Sequence, residues 1–219
     1  MYDISDAVPV ETVSSVAPGS SILVSGPAMT GKEHLLYEML AASLEEGDGV
    51  VAVSTSERGV DVLSDIEGRA DSADGHQLAV IDCRSEANRE ERELDSGAFV
   101  YQVSAPSDLT GIGIGITNCF ERFHDTGLDA GCLGLASLST TLTYSDRQTV
   151  FKFCHVLSSR LDSAGYLGLF TIDSSAHDDQ TLQVIKQAFD GLVEIREVDG
   201  HREARVRGLR PNPSDWVRL

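Results

Sequence analysis

Eight consecutive residues, Gly26, Pro27, Ala28, Met29, Thr30, Gly31, Lys32 and Glu33, have the types and spacing to hold phosphate. They fit the pattern G-x-x-x-x-G-K. In that pattern backbone N–H groups wrap around phosphate oxygens, the second glycine lets the chain approach closely, and the lysine reaches the outer phosphates. The apolar segment Ser21–Ser25 just before it reads as a strand. Leu35, Leu36, Met39, Leu40 and Leu44 recur at helical spacing just after it, over His34–Glu46. A helix starting there aims its positive end at the same phosphates. Lys32 is one of only three lysines among 17 basic residues, which argues against chance placement. The pattern departs at its last position: where Ser or Thr would help hold Mg2+, the chain has Glu33. That carboxylate could ligate Mg2+ while repelling phosphate, or turn outward as a favourable first-turn acid.

The elements that must position this loop follow from periodicity. Gly49–Ser54, Leu78–Asp82, Phe99–Val103, Cys132–Ala136 and Tyr166–Ile172 are short apolar runs that read as strands. Between them, Ser56–Asp65, Asp108–Asp125, Arg147–Ala164 and Asp179–Phe189 read as helices. Gly191–Val198 and Glu203–Gly208 read as a hairpin across Asp199-Gly200. Strands alternating with helices, most of the strands being apolar runs, describe a mostly parallel central sheet with helices on both faces. Gly68–Gly75 reads as a polar loop, and the densely charged Ser85–Gly97 as an exposed loop or weak surface helix. No repeat or linker divides the 219 residues, so a single domain is expected, with its core over about Val13–Gly208 and a tail over 209–219 anchored by Trp216.

Composition limits the partners. The net charge is −18, with 35 acids against 17 bases, and the pI is about 4.5. Such a balance repels nucleic acid and anionic lipid. Acids spread along the whole chain, with few lysines, also describe a surface kept soluble at high salt, where self-repulsion is screened. On that halophilic reading the charge reports on the solvent rather than on a partner. Cys83, Cys119, Cys132 and Cys154 lie in or beside apolar runs without C-x-x-C spacing, so they read as buried thiols. Met1–Val10 carries acids and no apolar core, unlike a signal peptide, and no 18-residue apolar run is present. A cytoplasmic protein is expected. The six histidines are widely spaced and offer no metal pattern.

With loop, strand order and closing hairpin in view, the chain resembles the RecA/KaiC-like ATPases over nearly its whole length. The resemblance implies an α/β, RecA-like P-loop NTPase fold closed by a C-terminal antiparallel hairpin, with ATP or ADP held by residues 26–33. It matches the water-activating glutamate of the family to Glu57. It matches the family's basic K-x-R-G element to the segment Arg205–Gly208, so Arg205 and Arg207 are either trans-acting fingers of a ring or a solvated hairpin face paired to acids. The Walker B aspartate falls on Ala136. Both protein positions that usually organise Mg2+, 33 and 136, are therefore altered, and no metal ligand carries over. Asp146 and Asp173, near strand ends, are either substitutes or ordinary cap and loop acids.

Three functions follow. The first is a KaiC-like regulatory or signalling protein with a degenerate ATPase site, acting through protein partners or self-association as a ring or dimer. The second is a protein-interaction module that kept the fold and lost the nucleotide. The third is an active Mg2+-dependent ATPase using Glu33 and Glu57 in unusual roles.

Overall fold

In a computed structural model, residues 1–3, 15–71, 74–84 and 91–219 are described. The start of the core expected near Val13, residues 4–10 of the N-terminal segment, residues 72–73 of the polar loop and residues 85–90 of the charged stretch lie outside them.

The chain opens with two short strands, β1 (Tyr2–Asp3) and β2 (Ser15–Val16), which pair antiparallel. Then come β3 (Ser21–Gly26), α1 (Lys32–Glu45), β4 (Gly49–Ser54), α2 (Gly59–Glu67), β5 (Leu78–Asp82), β6 (Glu91–Glu93) and β7 (Phe99–Gln102). They are followed by α3 (Leu109–Asp125), β8 (Gly131–Ala136), α4 (Leu138–Tyr144), α5 (Arg147–Ala164), β9 (Leu167–Asp173), α6 (Asp179–Lys186), β10 (Gly191–Val198), β11 (His201–Arg207) and β12 (Val217–Arg218).

Among the described residues, ten strands form one sheet in the order β12-β11-β10-β3-β9-β8-β4-β5-β7-β6. From β10 to β7 every neighbouring pair is parallel, and the edges are antiparallel. The parallel strands are buried on both faces, which is why they read as continuous apolar runs. Alternate residues serve opposite cores: Ile22, Val24, Val50 and Ala52 pack under α1 and α2. Leu23, Val51 and Val53 pack under α3, α5 and α6. Each fully buried large side chain there, such as Phe123, Phe170 or Leu40, contributes about 1.5–3 kcal/mol.

Two internal segments depart from the sequence reading. Glu91–Glu93 is an edge strand paired with β7, rather than a loop or helix. Its residues are all exposed, so no burial pattern marked it. Leu138–Tyr144 is a helix that the Ser- and Thr-rich run did not suggest, because such residues compete for backbone hydrogen bonds. Trp216 does anchor the tail: Arg196 and Arg205 lie 4.0 and 4.5 Å from its ring centroid, and β12 pairs with β11. All four cysteines are buried free thiols, each pushed up to about 12 by burial.

Candidate phosphate-binding site

The topology selects where a ligand fits. From β3 the chain crosses by α1 to β4, beyond β9 and β8. From β9 it crosses by α6 to β10, on the other side of β3. Connections leaving neighbouring strands in opposite directions open a crevice at their C-terminal ends. Gly26 and Asp173, the last residues of β3 and β9, are register partners at that crevice.

The loop from Gly26 to Lys32 closes on itself there. Thr30 Oγ1 donates to Pro27 O at 2.9 Å, and Lys32 Nζ donates to the same carbonyl at 3.3 Å. Thr30 and Lys32 are both buried. Gly31 caps α1 with φ 79° and ψ 19°, left-handed backbone that glycine adopts without penalty. No side chain caps α1, so its first-turn N–H groups are left for an anion. Met29 also sits at positive φ, 61°, with its side chain 99% exposed. Glu33 is half-exposed and turns back toward the loop, with Oε1 3.4 Å from Lys32 Nζ. Lys32 therefore reaches the loop partly neutralised.

The neighbouring wall is the 173–177 turn. Ser174 N donates to Gly26 O at 2.9 Å, and Ala28 N to Ser175 Oγ at 3.4 Å. Asp173 Oδ1 accepts from Ser175 N and Oγ at 2.8 and 2.6 Å. Partial burial opposes its ionisation, but these hydrogen bonds and the Lys32 charge outweigh that and hold the carboxyl below its ordinary range. Asp173 N donates to Ser139 Oγ at 2.9 Å, and the same hydroxyl meets His177 Nε2 at 2.8 Å.

The other sequence candidates lie apart. Glu57 follows β4, three strands along from β3, where it is exposed and accepts from Tyr37 OH at 3.2 Å. Burial, then the Glu57 charge, pushes the Tyr37 hydroxyl well above its usual range. Ala136 ends β8, and its carbonyl accepts from Thr55 N and Oγ1 at 3.2 and 2.9 Å. Asp146 caps α5, with both carboxylate oxygens bonded to Gln148 or Thr149. Arg205 pairs with Glu194 at 2.6 Å and Arg207 with the same carboxylate at 3.7 Å. Their β10 partners, Glu194 and Leu192, lie level with Ser25 and Leu23, short of the loop. The hairpin residue that does touch the loop is Arg202, whose Nη1 donates to Thr30 O at 3.3 Å. Sequence reasoning missed it because it lies three residues before Arg205, ahead of the Arg205–Gly208 segment on which the K-x-R-G resemblance fell.

The donor set fits a phosphorylated nucleotide: an uncapped helix start, a buried lysine and an arginine. It does not fit Mg2+ at the two usual positions. Ala136 offers only a carbonyl already bonded twice, and the Glu33 carboxylate is engaged by Lys32. Among the described residues, no three His, Cys, Asp or Glu side chains form a metal cluster. A concavity of about 700 Å3 at the opposite end of the sheet has an acidic lining that includes Glu45, Asp48 and Asp129, which repels phosphate. Among the described residues, no helix is long and apolar enough to cross a membrane.

Residues 19–195 match the Family of unknown function (DUF7504), and the chain belongs to that family. No curated protein matches the sequence. Among solved structures, a KaiC-like protein from the hyperthermophilic archaeon Pyrococcus horikoshii OT3 superposes with a TM-score of 0.61 at 12% identity, covering 98% of this chain and 88% of that one. The fold is thus that of a KaiC-like, RecA-type P-loop protein.

Proposed function

We propose that this DUF7504 member is a nucleotide-binding regulatory protein with a degenerate ATPase site, acting through protein partners or self-association rather than through turnover. The observation that carries the reading is the closed 26–33 loop, with Lys32 buried at the uncapped start of α1. ATP or ADP would be held there by the first-turn N–H groups, which meet phosphate oxygens, and by Lys32, which neutralises them. The nucleotide supplies the negative charge and the phosphoanhydride; the chain supplies a preformed cradle.

Weak or absent hydrolysis follows from what stands at 33 and 136. Phosphoryl transfer depends on metal positioning and charge neutralisation. Here one position is an alanine and the other a carboxylate paired with the loop's own lysine. Glu57, tied to Tyr37, is the remaining candidate for activating water. The dispersed acidic surface suits a cytoplasm of high salt.

Calorimetric titration of ATP and ADP in molar KCl, with and without Mg2+, tests the reading on wild type and Lys32→Ala. Saturable binding that weakens at least tenfold in the variant supports it. A well-folded wild type that binds neither nucleotide at millimolar concentration sinks it and leaves an interaction module. Mg2+-dependent hydrolysis abolished by Lys32→Ala would instead establish an active ATPase.

A further inference from the structure

The hairpin arginines are of two kinds. Arg196 pairs with Glu203 at 2.7 Å, and Arg205 and Arg207 share Glu194. Arg202 has no ion-pair partner among the described residues, although Glu197 is its cross-strand neighbour. Its contact is the carbonyl of Thr30 inside the phosphate loop, at 3.3 Å.

Backbone register explains how it gets there. Glu194 pairs with Ser25 of β3, and Glu197 lies three residues further along β10, past the end of β3. Arg202, opposite Glu197, therefore overhangs the loop. Gly31 makes room for it: a Cβ there would collide with the Arg202 guanidinium. The glycine that shapes the loop thus also admits a second cation, beside a Lys32 already shared with Glu33.

We propose that Arg202 is a phosphate ligand for a nucleoside di- or triphosphate bound at this loop, supplied by the chain's own hairpin and not by a neighbouring subunit. This rests on the nucleotide-binding reading above. The planar guanidinium has five donors, enough to keep Thr30 O while donating to a phosphate oxygen. It restores the positive charge that Glu33 subtracts from Lys32, and it ties the hairpin to the occupancy of the loop.

Calorimetry with ADP and ATP tests this on wild type, Arg202→Ala, Arg202→Gln and Arg202→Lys. The alanine variant is expected to bind both nucleotides about tenfold more weakly, equivalent to 1.4 kcal/mol. The glutamine variant still has an N–H for Thr30 O but no charge, and should show the same loss. The lysine variant should recover part of it. Wild-type affinity in Arg202→Ala overturns the proposal, as does wild-type affinity in Arg202→Gln, which would reduce Arg202 to a structural bond. A wild type that binds no nucleotide strikes down the nucleotide reading and this inference together. Unaltered binding in Arg202→Ala strikes down this inference alone.

Discussion

Replacing Glu33 by Gln asks which of its two roles the carboxylate plays, because the sign of the effect differs. Glu33 Oε1 lies 3.4 Å from Lys32 Nζ, and its side chain is 36% exposed. A phosphate drawn to the same ammonium comes within about 5 Å of that carboxylate. Two unit charges at that distance repel by about 3 kcal/mol at an effective dielectric constant near 20. Partial exposure and counterions reduce this to about 1 kcal/mol in dilute buffer. Glu33→Gln should therefore bind ADP about fivefold more tightly at low salt, as 1.4 kcal/mol is tenfold. In molar KCl the Debye length shrinks to about 3 Å, and the gain should fall below about twofold. Calorimetric titration at two KCl concentrations, each with and without Mg2+, reads both values. Equal or weaker binding by the variant without Mg2+ would refute the electrostatic argument. Weakening seen only with Mg2+ would put Glu33 on the metal.

Two further outcomes test the local physics. Met29 holds left-handed backbone at φ 61° with nothing packed on its side chain, so Met29→Gly should relieve about 1 kcal/mol of strain and raise the urea midpoint of the nucleotide-free protein; an unchanged or lower midpoint would count against it. Glu194 is partly buried, which alone would raise its carboxyl, but Arg205, Lys186 and Arg207 outweigh burial and hold it below its ordinary 4.5. A carboxyl depressed in the folded state stabilises the fold above its unfolded value and loses that contribution as pH falls through the folded value. Wild type should therefore lose more stability than Glu194→Gln as the pH drops below about 4.5, and parallel acid-denaturation curves for the two proteins would contradict this assignment.

Much of the fold was legible because it is local. Ser21–Ser25, Gly49–Ser54 and Leu78–Asp82 carry continuous apolar runs (Ile22–Val24, Val50–Val53 and Leu78–Ile81) because both sides of a parallel strand are covered, and the helices between them carry their own period. The shape of the 26–33 loop was legible for the same reason: Gly26, Gly31 and Lys32 lie within eight residues, between a strand and a helix that each carry their own local pattern. Legibility failed where burial left no pattern. Glu91–Glu93 pairs along an edge with every side chain exposed, and Leu138–Tyr144 is a helix of weak helix formers. The strand order, with β9 and β8 between β3 and β4, is set by long-range pairing that no local period encodes.

The same division runs through the site. By itself the sequence determined that a G-x-x-x-x-G-K segment stands at 26–32 and that Glu33 and Ala136 occupy their positions, since residue identity alone carries both facts. Tertiary structure decided what those residues face. Parallel register brings Asp173 beside Gly26, and α1 geometry turns Glu33 onto Lys32. Hairpin register separates Arg205 and Arg207, held by Glu194, from Arg202, which overhangs the loop. Arginines on one strand look alike in a sequence. Distance from the loop along the strand, and the nearest carboxylate, determine which of them reaches the 26–33 loop.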